Sequence, residues 1–468
     1  MSVVVLLADG VRPDTLAAAL DSGALPALAR RRDEGGLHDV TTVFPSVTGP
    51  AYAPFLMGRF PGPVGLPGLR WFDRDRAACS FPDYTRSYVG YQMRAVDRDI
   101  AADAPTIFEL APSSLAALSV ITRGLPQANR IGSITLRSAL RAARTHFSGN
   151  VAGWLDIDRE VADDIVRRVA AERPEYTYAA FTGVDKVSHA RGHTHAMVFD
   201  ALKIVDDAAA RIRADAERDG RWEDMHLWIV SDHGHSPVSH HEDLAGMLTV
   251  LGHRVVAHPW VFVPFAQTAV MVSGNAMAHI FLEVRRRGRP WWPGLAPRWE
   301  GLASMLLARP SVDLVLLPID AQRCEVRSRR GEMGLVTALG GFYSYLPVVG
   351  DPLGVGGALR GLSADEAYAA TVNTDYPDSI VQIAHLAASP RAGDIILSAS
   401  RDWDFRSRYE PIPHVSSHGA LHREHMMVPL LVNHPVSRAP RRTTDVMPSS
   451  LAALGLDIPP SLDGTSFL

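Results

Sequence analysis

"VVVLLADG", residues Val3 to Gly10, is an unbroken apolar run that stops at an acid and a glycine. Its length and its β-branched valines predict a buried strand, and Asp9-Gly10 predicts the turn that ends it. The same pattern returns as "YTYAAFTGVD" (Tyr176 to Asp185) and "HLWIVSDHGH" (His226 to His235). Around these runs lie "RPDTLAAALDSG", "DREVADDIVRRVAAERP" and "HAMVFDALKIVDDAAARIRADAERDG", whose apolar residues recur at three- and four-residue intervals as in amphipathic helices. Strands alternating with helices predict an α/β fold, a mostly parallel sheet sandwiched by helices.

Between residues 255 and 365 the texture changes. "WVFVPFAQTAVMVSG", "HIFLEV", "VDLVLLPI" and the cluster "RPWWPGLAPRW" predict a smaller α+β subdomain inserted into a core formed by 1–254 and 366–468. "GDIILSAS" (Gly393 to Ser400) is expected to return to the main sheet, and "TTDVMPSSLAALGLDIPPSLDG" predicts a helix closed by Gly455.

The composition of the 468 residues narrows the function. Two cysteines, Cys79 and Cys324, leave no disulfide framework and no Cys-rich zinc site. A net charge of −4 shows no basic excess, so no nucleic-acid polymer is expected as a partner. The arginine runs Arg30 to Arg32 and Arg285 to Arg287 read as solvated surface. No apolar run reaches the roughly 18 residues of a membrane span. The opening has neither the basic start nor the long apolar stretch of a secretory signal, so a cytoplasmic location is expected.

In an open parallel sheet, ligands bind at the carboxyl ends of the strands. Asp9, Asp185 and Asp232-His233 all follow directly on apolar runs, and three acids gathered there would repel one another without a cation. His189 lies four residues beyond Asp185, on one side of a helical turn. His418 sits before a glycine in "HVSSHGALHREH". Three Asp and three His suit two divalent ions with three protein ligands each, the mixed donor set favouring Zn2+ with Mn2+ as the alternative. His193, His195, His235, His240, His241, His422 and His425 read as surface or supporting residues.

"LLADGVRPD", "FPSVTGPAYAPFLMGRFPG" (Phe44 to Gly62), "GVDKVSHARGH", "SDHGH" and "SSHGALHREH" occur in the order found in the alkaline phosphatase superfamily. The chain most resembles its type I phosphodiesterase/nucleotide pyrophosphatase branch. The resemblance places Asp9, Asp232 and His233 on one metal with Thr48, and Asp185, His189 and His418 on the other. It implies hydrolysis of phosphodiester bonds in small phosphate esters through a covalent phosphothreonine on Thr48. Pro50 fits the first turn of the helix that follows, whose N-terminus is expected to face the phosphate. Two departures stand out. Ala51 occupies the place where the family usually has an asparagine that holds a phosphate oxygen, with Lys186 as a candidate replacement donor, and no secretory signal precedes the core.

Trp71, Phe72, Tyr84 and Tyr91 are candidates to stack on a base or aryl leaving group, Trp71 and Tyr84 foremost. Trp291-Trp292 could roof the site or pack internally. "CSFPDY" at Cys79 does not fit the modified-nucleophile stretch of sulfatases. The alternatives are phosphomonoester hydrolysis, a phosphonoacetate hydrolase-like phosphonatase, and a catalytically inactive relative that binds phosphorylated ligands.

Overall fold

Val3, Val5 and Leu7 face one apolar layer and Val4, Leu6 and Ala8 the other, which is why the opening run does not alternate with polar residues. The computed structural model describes residues 1–77, 85–88, 91–132, 136–406 and 413–468. Strand Ser2–Ala8 lies near the centre of a seven-stranded sheet among the described residues. Its order is Gly36–Thr41, Met427–Val432, Met225–Val230, Ser2–Ala8, Tyr176–Phe181, Ser114–Ala117 and Arg130–Ile131. All run parallel except Met427–Val432, which is antiparallel to both neighbours.

Helices Pro13–Asp21, Val151–Glu172 and Ala196–Arg218 bury Leu16, Ile165, Leu202 and Val205 against one face. Ala53–Met57 and Val446–Leu454 close the other through Phe55, Met447 and Leu451. The last helix ends, as expected, on Gly455 in the left-handed conformation. None of the helices is long and apolar enough, among the described residues, to cross a membrane.

Among the described residues a second sheet, of nine strands, takes up Val255–Val256 through Leu359–Leu362, mostly in antiparallel pairs. Helix Trp292–Leu307 covers one face with Leu295, Trp299 and Leu306, and Ser379–Ala388 covers the other with Ile380 and Ile383. Ile395–Ala399, expected in the main sheet, instead pairs between Met277–Leu282 and Val312–Pro318 in this second one. All five of its residues are buried, and an apolar run carries no mark of the sheet it will join.

One surface reading is corrected as well. Arg31 is fully buried: its guanidinium donates to the carbonyls of Ala27 and Ala209 and lies over Trp222. These two bonds give each terminal nitrogen an acceptor without solvent, while Nε is buried without a partner. Trp292 packs inside the second layer, whereas Arg285, Arg286 and Arg287 are exposed as expected. Cys324 is a buried free thiol, while Cys79 falls outside the described residues.

Candidate functional site

Three adjacent strands set the acids side by side. Ser2–Ala8 runs between Met225–Val230 and Tyr176–Phe181, with Leu7 opposite Val230 and Ala8 opposite Phe181. Asp9 therefore leaves the sheet between Asp232 on one flank and the segment leading to Asp185 on the other. Asp185 and His189 share the helix Gly183–Arg191, and their i,i+4 spacing brings His189 Nε2 to 3.1 Å from Asp185 Oδ1. Asp158 anchors that helix by accepting the backbone N–H groups of Thr182 and Gly183 at 3.0 and 2.7 Å.

Thr48 is the one partly exposed residue in a buried stretch from Val40 to Val47 and on through Gly49 and Pro50. Its Oγ1 lies 3.3 and 3.5 Å from the two Asp9 oxygens and 3.1 Å from His233 Nε2. His233 Nε2 is in turn 3.3 Å from Asp9 and 3.6 Å from Asp232. Beyond Thr48 come a 3-10 turn, Pro50–Tyr52, and a single helical turn, Ala53–Met57, with Pro50 at its start.

His418 arrives from the far end of the chain, and its Nε2 reaches 3.5 Å from Asp185 Oδ1. The second sheet holds it there. Asn275 bridges His418, Ala276 N–H donates to the His418 carbonyl at 2.9 Å, and Ser417 Oγ donates to Gly274 O at 3.2 Å. Asp9, Asp232 and His233 thus form one donor group and Asp185, His233, His235 and His418 another, meeting at His233. Of the expected ligands His189 falls in neither group and reaches Asp185 Oδ1 from the side, while Thr48 joins the first through Asp9 and His233.

Hydrogen-bond polarity says what these groups can hold. A carbonyl only accepts, so a ring nitrogen bonded to one must carry the proton. His189 Nδ1 bonds Ser416 O at 2.9 Å, His418 Nδ1 bonds Ser46 O at 2.9 Å and His233 Nδ1 bonds Gly234 O at 3.2 Å. In the neutral rings each Nε2 lone pair is thereby aimed at carboxylate oxygens, acceptor against acceptor. Asp232 Oδ2 is buried without any hydrogen-bond partner.

The titration behaviour reflects this crowding: it resists charge on Asp232 and His418 and draws a proton onto His233. Burial, reinforced by the charge of Asp9, pushes the Asp232 carboxyl well above its usual range. Burial lowers His418 far below the ordinary imidazole value. It also opposes protonation of His233, but the charges of Asp232 and Asp9 prevail and lift that group to about 9. Buried lone pairs and carboxylates facing one another are what cations bind, and imidazoles tied at Nδ1 are the usual supported ligands. The donor set fits divalent metal ions.

The substrate-contact expectations fare less well. Trp71 is fully buried and packs edge-on against Tyr88 in the main core, and Phe72 is buried beside it, so neither is free to stack on a ligand. Tyr84 lies outside the described residues, as does the Tyr91 side chain. Lys186 does stand at the site: its Nζ donates to Asp185 Oδ2 at 2.7 Å and lies 5.8 Å from the Trp154 ring centre. Ala51 belongs to an apolar cluster with Phe44 and Phe60. His235, read as a supporting residue, is fully buried with Nε2 3.0 Å from Asp185 Oδ1. The repeated histidine of "SDHGH" was the only sequence signal for it.

Solved structures with this architecture are similar over nearly the whole chain. Phosphonoacetate hydrolase from Sinorhizobium meliloti 1021, in complex with phosphonoformate, matches at 17% identity with a TM-score of 0.57, covering 97% of this chain and 96% of that one. Human ectonucleotide pyrophosphatase / phosphodiesterase 5 matches at 14% identity and TM-score 0.58, covering 99% and 97%. An inactive form of the murine enzyme in complex with AMP matches at 15% and 0.56, covering 98% and 96%. No curated protein sequence matches significantly. The fold is of the alkaline phosphatase type, and the class is that of the phosphoester hydrolases. The type I phosphodiesterase / nucleotide pyrophosphatase family model matches residues 3–289, and the chain belongs to that family.

Proposed function

We propose that the protein hydrolyses phosphodiester bonds in small molecules, with Thr48 as nucleophile and two divalent cations bound. Asp9, Asp232 and His233 would hold one beside Thr48, and Asp185, His189 and His418 the other, with zinc the expected metal and manganese the alternative. The observation that carries this reading is the contact of Thr48 Oγ1 with Asp9 and His233 at 3.1 to 3.5 Å. A threonine hydroxyl is a weak nucleophile by itself, and the cations, when bound, would acidify it and neutralise charge on the leaving oxygen.

Thr48 Oγ1 gives up its proton to solvent and attacks phosphorus, the bond from phosphorus to the leaving oxygen breaks, that oxygen takes up a proton from solvent, and a phosphothreonine forms. Water then cleaves the phosphothreonine and restores the hydroxyl. Asp9 and His233, both buried, would orient Thr48 Oγ1 for attack.

Lys186 favours a second reading. A full positive charge beside Asp185 suits a dianionic phosphomonoester or a phosphonate bearing a carboxylate, better than it suits a singly charged diester. One comparison separates the two: turnover of bis(p-nitrophenyl) phosphate, p-nitrophenyl phosphate and phosphonoacetate under zinc and under manganese. The diesterase reading expects the highest kcat/KM for the first, and a strong preference for either of the others overturns it.

A further inference from the structure

We propose that His235 is a fourth protein ligand of the cation assigned to Asp185, His189 and His418, giving that centre a third imidazole. The inference rests on the two-cation reading above and extends it to a residue outside the six expected donors.

Geometry comes first. Donor atoms of Asp185, His233, His235 and His418 all lie within 4.8 Å of one another. The His235 ring is 4.8 Å from that of His189 and 5.1 Å from that of His418, centre to centre. Its backbone is pinned too, because Arg12 Nη1 donates to the His235 carbonyl at 2.9 Å.

The hydrogen bonds then fix which nitrogen is free. Ser416 Oγ has one proton and donates it to Ser236 O at 2.9 Å. Towards His235 Nδ1, 3.2 Å away, the same oxygen can only accept, so Nδ1 carries the ring proton. His235 Nε2 consequently presents a lone pair to Asp185 Oδ1 at 3.0 Å. Two facing acceptors at that distance need a cation or a proton between them, and the position of this pair among the donors of Asp185 and His418 favours the cation. Neighbouring His425 shows the contrast: its Nδ1 accepts from Ala420 N–H at 3.0 Å and its Nε2 is 2.8 Å from Ser236 Oγ, so both nitrogens are spent.

Space has been left for this ring. A Cβ on Gly10 would come within 2.9 Å of His235 Cδ2 and Nε2 and 3.2 Å of the Asp185 Cβ. Residue 10 is thus a glycine next to the imidazole, while its N–H donates to Asp232 Oδ1 at 3.2 Å.

The test counts nitrogens rather than turnover. Full-length protein labelled with 15N-histidine and loaded with 113Cd2+ should show cadmium coupling at the Nε2 of His189, His233, His235 and His418. In H235M, a substitution of similar bulk, one coupling disappears, and the more tightly held Cd2+ loses about tenfold or more in affinity by chelator competition. Wild-type protein that binds two Cd2+ but couples only His189, His233 and His418 overturns the proposal and leaves the two-cation reading intact. Protein that binds no Cd2+ overturns both. The wild-type measurement stands whether or not H235M folds.

Discussion

His233 and His418 stack face to face, ring centres 3.6 Å apart and planes within 5°. One imidazole belongs to the Asp9 group and the other to the Asp185 group, so the two donor sets share a wall. Nearness of this kind couples them: a change that tilts His418 is felt at His233, and through its Nε2 at Thr48.

Thr48→Ala should lower turnover of any substrate by roughly 10³-fold or more while two metal ions per chain are retained. Thr48→Ser should keep part of the activity, because the hydroxyl remains. Steady-state kinetics with elemental analysis of the same samples checks both, and wild-type turnover in the alanine variant would remove Thr48 from the chemistry.

Gly10→Ala should impair the site with little loss elsewhere. Gly10 has φ +77°, where an L side chain is strained, and its new methyl would press on His235 and Asp185. We expect weaker metal binding by chelator competition and a thermal transition lowered by the equivalent of about 1–2 kcal/mol.

Restoring the family's asparagine with Ala51→Asn should not improve catalysis. Ala51 is fully buried among apolar neighbours, so the amide would be desolvated at a cost of about 1–3 kcal/mol. Denaturant unfolding measures the loss, and a gain in diester turnover without one would show that the position faces substrate.

Removing the metals should destabilise the fold. Ions bound only by the native state add about 2.7 kcal/mol per site at a hundred times Kd. Calorimetry after exhaustive chelation should show a lower Tm, restored by zinc.

Acid sensitivity should come partly from His279, remote from the metal groups. Its Nε2–H donates to Pro67 O at 2.8 Å and its Nδ1 accepts from Gly393 N–H at 3.1 Å, so the neutral ring fills both roles. Burial lowers its folded value to about 4. Between the unfolded value near 6.5 and about 4 the unfolded chain binds the extra proton, so stability is full above that window and falls as the pH drops through it. The contribution is about 3 kcal/mol, and His279→Gln should flatten that part of the pH–stability curve.

How much of this could be read from sequence varies with the signal. Asp9, Asp185 and Asp232 were visible because each ends an apolar run, and strand ends are where an open parallel sheet binds ligands. Asp185 and His189 were tied by helical spacing. His418 has no local signature of that kind, and only the order of motifs pointed to it. His235 was missed because its role depends on which way Ser416 spends its single proton, a long-range fact. Trp71 failed as a substrate contact because sequence cannot tell an aromatic at a pocket from one beneath it. Ile395–Ala399 joined the other sheet for a similar reason, since hydrophobicity predicts burial and is silent on the partner.

The bond between Ala276 N–H and the His418 carbonyl has a bearing on biosynthesis. A chain leaving the ribosome exposes Asp9 early, yet the support for His418 exists only once residues around Gly274 to Ala276 have folded, and His418 itself is translated later still. On the two-cation reading, the complete centre would therefore load only after His418 has been made, and shorter nascent chains would carry acids with nothing yet to balance them.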